Sequence, residues 1–280
     1  MFQLFAWRYR YSMVTISPSK VGAHLKEWRE RRSLSQLALA CEASISQRHL
    51  SFVESGRSSP SREMVVHLAE QLSVPLRERN SLLVAAGFAP IYSQRGPEDP
   101  ALGQPNDAIA AILRGHEPYP ALAVDRHWNL LHANDAVAPL LAGVDAELLK
   151  APKNVLRLAL HPQGLMPRIV NYAEWRRYLL QRLDREISNT ADVVLRELAE
   201  ELRSYPNTGA EKHSKAALPD IGSIAVLLQL SSECGPLSLI STTTMFGTAL
   251  DVGLSELTIE AFFPADRETA ERPRTISTNR

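Results

Sequence analysis

The stretch from Ser35 to Gly56, SQLALACEASISQRHLSFVESG, constrains this chain more than any other part of it. Two apolar-periodic runs stand only a few residues apart. Helices joined this tightly cross at roughly 90–120°, the geometry of a helix-turn-helix. That geometry dictates residue types. A small residue must sit where the helices cross, and Ala40 does. An apolar plug must lie beneath the turn, and Ile45 serves. The second helix buries Leu50 and Val53, which leaves Ser46, Gln47, Arg48, Ser51 and Phe52 on its outer face. Such a face is what a DNA major groove would meet, with its first residues reaching base edges. Glutamine can bind adenine bidentately and arginine guanine. The spacing alone also fits an ordinary helical hairpin with a polar face. The order of small residue, turn, plug, polar start and closing glycine favours the groove-reading helix.

The flanking sequence completes a helical domain. Val21, Leu25 and Trp28 fall at i, i+4 and i+7 and predict a first helix. Leu37, Ala40 and Cys41 predict the inner face of a short second one, N-capped by Ser35, with Cys41 a small buried residue. Gly56 stands where a helix end needs a left-handed residue. Met64, Val65, Leu68, Ala69 and Leu72 predict a fourth helix, and Leu82, Leu83 and Ala86 a fifth, stopped by Gly87 and Pro90. Residues 21–92 therefore read as an all-α domain. Residues 93–105, rich in proline and glycine, read as a linker.

Beyond the linker, residues 106–266 change pattern. YPALAVD and WNLLHAN predict two strands, followed by a helix near 134–141. Tyr172, Trp175, Leu179, Leu183 and Ile187 predict a long helix, and Leu195, Leu198 and Leu202 another. The polar stretch 204–219 reads as a loop. IAVLLQLSS, PLSLISTTTMF and ELTIEAFF predict three further strands. This is an α+β domain with an antiparallel sheet. The charged tail, 267–280, is expected to be disordered.

The net charge of zero hides an asymmetry. Residues 1–92 hold 12 Lys+Arg against 7 Asp+Glu, and the remainder carries the opposite surplus. A basic first third suits a module that meets polyanions. No run approaches the ~18 apolar residues that span a membrane. Cys41 and Cys234 lie too far apart in sequence to suggest a disulfide framework or metal cluster, so a reducing cytoplasm is the expected setting. The aromatic and arginine-rich opening, MFQLFAWRYRYSM, is not a secretory signal. Residues 1–20 read as a disordered extension with Met13 as the expected initiator; an ordered aromatic arm is the alternative.

Residues 21–86 resemble the lambda repressor-like helix-turn-helix of the XRE family. The matching residues are Ser35-Gln36, Ala40, Ile45, Ser46-Gln47-Arg48, Leu50, Val53 and Glu54-Ser55-Gly56-Arg57. The resemblance implies that Gln36 contacts a phosphate and braces Gln47, and that Arg57 meets the DNA backbone. Ser44 departs from the pattern, standing where glycine is usual. Serine reaches left-handed φ only at a cost, so a slightly distorted turn is expected. The rest is similar to the MmyB-like regulators, on HEPYPALAVDRHWNLLHAN, LHPQGLMPRIVN and ELTIEAFFPAD among other segments. That resemblance implies a PAS-like C-terminal ligand-binding domain with an apolar pocket, fatty acyl chains being the ligand suggested for the family.

Other chemistry finds little support. The eight histidines show no metal-binding spacing. There is no glycine-rich phosphate loop, no GxSxG elbow, and no acid, base or nucleophile constellation. No catalytic residue, metal or cofactor is expected. The expected protein is a sequence-specific DNA-binding transcriptional regulator that acts as a homodimer on double-stranded DNA, without a membrane. Its candidate ligand-facing residues are Leu122, Val124, Trp128, Leu130, Trp175, Leu179, Leu227, Leu239 and Phe246, with Arg168 a candidate for a ligand carboxylate. Two rivals remain: a ligandless dimerisation or docking domain, and, more remotely, an enzyme using the C-terminal pocket.

Overall fold

The computed structural model describes residues 21–95, 99–207, 226–232, 235–246 and 249–277. The expectations for residues 1–20 and Cys234, and nearly all of the polar loop at 204–219, lie outside them. The chain forms two compact units divided between Tyr92 and Ser93.

The first unit is five helices: α1 (Val21–Arg31), α2 (Gln36–Glu42), α3 (Gln47–Glu54), α4 (Arg62–Gln71) and α5 (Leu76–Ala85). Serine starts three of them. The hydroxyls of Ser35, Ser46 and Ser61 accept the backbone N–H of Ala38, His49 and Met64 at 3.0, 3.1 and 3.2 Å. Each bond satisfies an N–H that the helix cannot pair itself. Leu25, Leu39, Leu50, Leu68 and Leu83 are fully buried in one core. Gly22 is required by close approach: a Cβ there would stand 2.1 Å from the carbonyl oxygen of Val53. The inner face of α2 is Leu39 and Ala40. Leu37 is 57% exposed and Cys41 is also exposed, so the sequence phase was one step off in this two-turn helix.

In the second unit, a five-stranded antiparallel sheet has the order β2-β1-β5-β4-β3. Its strands are β1 (Ala121–Val124), β2 (Leu130–Ala133), β3 (Leu227–Leu230), β4 (Leu237–Met245) and β5 (Thr258–Pro264). The period-two alternation of strands sorts the side chains between two layers. Ala121, Ala123 and Ile259 pack with Ile109 and Leu113 of α6 (Gly103–Gly115). Leu122, Val124, Leu228, Leu230, Leu239 and Phe262 join the other, larger core. That core is roofed by α7 (Val155–Leu160), α8 (Tyr172–Thr190) and α9 (Val193–Ser204). The predicted helix near 134–141 is a 3-10 helix, Asp135–Leu141, interrupted by Pro139. A short α10 (Val252–Ser255) precedes β5.

Two expectations are corrected. The linker is shorter than 93–105, because Pro100–Leu102 forms a 3-10 turn and α6 starts at Gly103. Pro105 fits there because a first-turn N–H has no helical partner to lose. The tail is not disordered throughout: α11 occupies Arg267–Ser277. Asp266 accepts the Thr269 N–H at 2.7 Å, and the buried Thr269 hydroxyl accepts the Ser238 N–H at 3.0 Å. One cap and one tie to β4 hold a segment whose composition argued against order.

Candidate nucleic-acid interface and ligand pocket

In the helical unit the groove-reading candidates fall on α3 and its ends. Gln47 and Arg48 are exposed at its start, and Ser51 and Phe52 are half-buried. Ser46 is the N-cap, with its oxygen already holding His49. The guanidinium carbons of Arg48 and Arg57 stand 5.4 and 5.9 Å from the Phe52 ring. Phe52 thus gathers two cations at one aromatic surface, the geometry of cation–π attraction. Ser44 takes φ 53°, the left-handed turn its substitution for glycine implied.

Gln36 is placed differently from the expected brace. Its side-chain amide donates to Glu54 Oε2 at 2.8 Å. Arg29 grips the same carboxylate, Nε to Oε1 at 2.7 Å and Nη2 to Oε2 at 2.9 Å. That hydrogen bond, more than burial opposes it, raises the Arg29 pKa above its ordinary value. The sequence reading missed this buried pair, which ties the end of α1 to the end of α3.

The second unit holds a cavity of about 100 Å³ between the sheet and the α7–α8 layer. Leu122, Trp128, Leu130, Trp175 and Leu179 line it. Val124 and Leu239 belong to the same core without reaching the wall. Leu227 is displaced by its neighbour Leu228, and Phe246 packs on the opposite, α6 side of the sheet. Arg168 is absent from the wall. Its Nη1 donates to the carbonyls of Leu140 and Ala142 at 2.8 and 3.2 Å, and its Nε to Ser231 at 3.3 Å. It holds the 3-10 helix that supplies Leu140 and Leu141 to the wall.

The charged wall residues are Arg182 of α8 and Glu260 of β5. They form a two-point pair at 3.1 and 2.6 Å. Arg182 Nε also donates to Glu186 at 3.3 Å, and the indole N–H of Trp128 donates to Glu186 at 2.8 Å. The guanidinium stands 4.5 Å from the Trp128 ring. Burial is the largest single influence on Arg182 and works against its charge, but the Glu260 hydrogen bond and the negative charges of Glu260 and Glu186 together outweigh it, and the pKa is raised. Burial is also the leading cause that lifts the Glu186 carboxyl above the usual range.

Trp128 has φ 65°, a conformation costly for a bulky side chain, on the order of 1–3 kcal/mol. Asp125 enforces it by accepting the N–H groups of His127 and Asn129, each at 2.8 Å. The Trp128 N–H in turn bonds the Asp125 carbonyl at 3.0 Å. The strained turn sets the indole into the cavity wall. Sequence reasoning missed Arg182, Glu186 and Glu260. Arg182 lies seven residues after Trp175 on the same helical stripe, and Glu260 shares the inward phase of β5 with Phe262.

A helix-turn-helix unit followed by an α+β unit with an apolar cavity defines a DNA-binding transcriptional regulator that carries a ligand-binding domain. Residues 25–79 match the helix-turn-helix family model, and residues 105–275 match the model of the MmyB-like transcription regulator ligand binding domain. The chain belongs to the MmyB-like transcription regulators.

Among solved structures, it is similar over 25% of its length to the clp gene regulator ClgR from C. glutamicum, with 24% identity, 87% of that chain covered and a TM-score of 0.22. It is also similar to an HTH_3 family transcriptional regulator from Vibrio cholerae, at 27% identity, 24% of this chain, 36% of that chain and a TM-score of 0.22. No curated protein matches this sequence. Among the described residues, no helix is long and apolar enough to cross a membrane.

Proposed function

We propose that this regulator reads a DNA half-site with Gln47 and Arg48, meets the backbone through Arg57 and the start of α2 at Gln36, and acts as a homodimer whose DNA affinity is set by a small apolar, fatty-acyl-like ligand. The observation that carries the ligand reading is the cavity, whose wall is aliphatic and aromatic over nearly all its residues. Apolar burial, about 25 cal/mol per Å², would supply most of the affinity, and a few polar groups the orientation. The cavity is smaller than the ~300–1,000 Å³ usual for ligand sites. A long chain must therefore push the wall open. That requirement offers a route to control, because a ligand shifts an equilibrium only by favouring one state over another.

The small volume also favours a second reading, a dimerisation or docking domain with no ligand. Native mass spectrometry of the purified full chain, then a melting series with C10–C18 fatty acids and their alcohols, separates the two. A co-purifying mass or a dose-dependent rise in Tm, with changed affinity for DNA sites selected from the organism's own genome, supports the sensor. No retained mass, no shift and unchanged DNA affinity would leave the docking module. Homodimerisation is tested by sedimentation of the full chain. The expected dimer would place two reading helices about 34–36 Å apart, one DNA turn.

A further inference from the structure

We infer that the cavity is built for an uncharged apolar ligand with a hydrogen-bonding head, such as an alcohol or ester, and that it discriminates against the matching carboxylate. This inference rests on the ligand reading above and specifies the ligand's class. One cation, Arg182, meets two carboxylates, Glu260 and Glu186. Glu260 is 4% exposed, and besides Arg182 it accepts only the Thr243 hydroxyl, at 3.1 Å, among the described residues. Glu186 is held by Arg182 and by the Trp128 indole, so it cannot move aside without releasing the ring that forms the wall.

A ligand carboxylate would be the third acid beside one guanidinium. To bind Arg182 at two points it must displace Glu260, which would leave a buried carboxylate with a single hydroxyl for company. Stripping a buried ion of its partner is strongly unfavourable. Arg168 offers no alternative, because it lies outside the wall and its donors face three backbone carbonyls.

A neutral head meets no such penalty. Arg182 uses three of its donor hydrogens in these pairs and has five, so it retains capacity for one oxygen acceptor. Ser241 and Tyr178 also belong to the wall, and among the described residues neither hydroxyl has a hydrogen-bond partner. An alcohol or ester oxygen can pair with such groups while the ion pair stays intact. Burial is the leading influence on Glu186 and raises its pKa, so the same loss of water contact would weigh on a further carboxylate placed beside it.

The test uses the full-length protein and matched probes: 1-decanol, methyl decanoate and sodium decanoate, with the hexyl series as a smaller set. Binding is measured by calorimetry and by thermal shift at pH 7.5. The alcohol or ester is expected to bind at least about tenfold more tightly than the acid, a difference of ~1.4 kcal/mol. Glu260→Gln removes one carboxylate and keeps the shape, so it should narrow that ratio at least about tenfold in favour of decanoate. Glu186→Gln provides an independent second variant if Glu260→Gln melts early, and it should move the ratio the same way. Decanoate binding the natural chain as tightly as decanol would overturn the inference while leaving the ligand reading intact. Binding by none of the probes, in either length series, would overturn both.

Discussion

Arg29 and Glu54 meet at two points inside the helical unit, with nitrogen–oxygen distances of 2.7 and 2.9 Å and residue exposures of 7% and 8%. Gln36 adds a third donor to the same carboxylate, so α1, α2 and α3 converge on one acid. The pair fixes where the reading helix ends relative to the first two helices. Removing one partner strands the other in a low-dielectric site and should cost about 3–5 kcal/mol. Glu54→Ala is therefore expected to lower the unfolding free energy by that amount in urea denaturation. Arg29→Met with Glu54→Leu removes both charges and should lose much less. A double variant as unstable as the single one would mean that the pair is a net source of stability and not merely a matched burial.

Phe52 organises two cations, which separates its role from that of Arg48. Arg48→Ala should weaken binding to a selected site by about 1–3 kcal/mol and relax preference at one base pair, with a smaller loss on random DNA. Phe52→Ala removes the ring beside both Arg48 and Arg57. It should weaken selected and random DNA together while leaving the salt slope nearly unchanged, because no charge is removed. Fluorescence anisotropy on both DNAs, across a salt series, reads the two patterns. Equal losses on both DNAs from Arg48→Ala would assign Arg48 to phosphate contact.

The helical unit was legible because each of its signals has a local cause. Capping serines, the crossing alanine, the plug and the closing glycine act within a few residues of themselves. The cavity was legible only where periodicity sufficed, as for Trp175 and Leu179 on one stripe of α8. Leu227 shows the limit: a one-residue shift in strand phase exchanges the two faces of a sheet, and Leu228 is the inward residue. Arg182 and Glu260 were passed over because a charge in an apolar pattern normally marks the outer face. Their pairing spans 78 residues of sequence and leaves no local trace. Arg168 drew notice for its apolar neighbours, but its partners are backbone carbonyls, which a sequence does not display. Conversely, Thr269 gave no hint that one hydroxyl would tie the tail to β4.

Arg168 yields a prediction of its own. Its guanidinium holds the carbonyls on either side of Leu141, and its backbone carbonyl accepts the Ser231 N–H at 2.8 Å. Replacing it with alanine should release this segment of the cavity wall at a cost of about 1–2 kcal/mol, given bonds to a charged donor that are partly exposed. Hydrogen exchange is expected to quicken between Val137 and Val144 while the helical unit keeps its protection. Unchanged exchange there would show that the 3-10 helix holds without the arginine.

The acid limb of stability should report Asp192. This carboxylate caps α9 by accepting the Val194 N–H at 2.8 Å, and it faces His127 Nε2 at 2.9 Å and Arg126 at 3.4 Å. Burial opposes its charge, but the His127 hydrogen bond and the nearby cations prevail, and its pKa falls from 3.8 to about 2. A carboxyl with a depressed folded-state pKa stabilises the fold above its unfolded value, and that contribution is lost as pH falls through the folded one. The window is therefore pH 3.8 down to about 2, and the size is roughly 2 kcal/mol. His127 lies in the turn that holds Trp128 at φ 65°, so loss of the Asp192 charge loosens the cavity's indole as well as α9. Asp192→Asn keeps a side chain able to cap the helix but cannot titrate. The variant should be less stable than the natural chain by roughly 2 kcal/mol near neutrality, and the gap should close by about pH 2. Denaturant unfolding at intervals between pH 2 and 7 measures it. A gap that stays constant across the range would show that the loss comes from altered shape or hydrogen bonding and not from the carboxylate's charge.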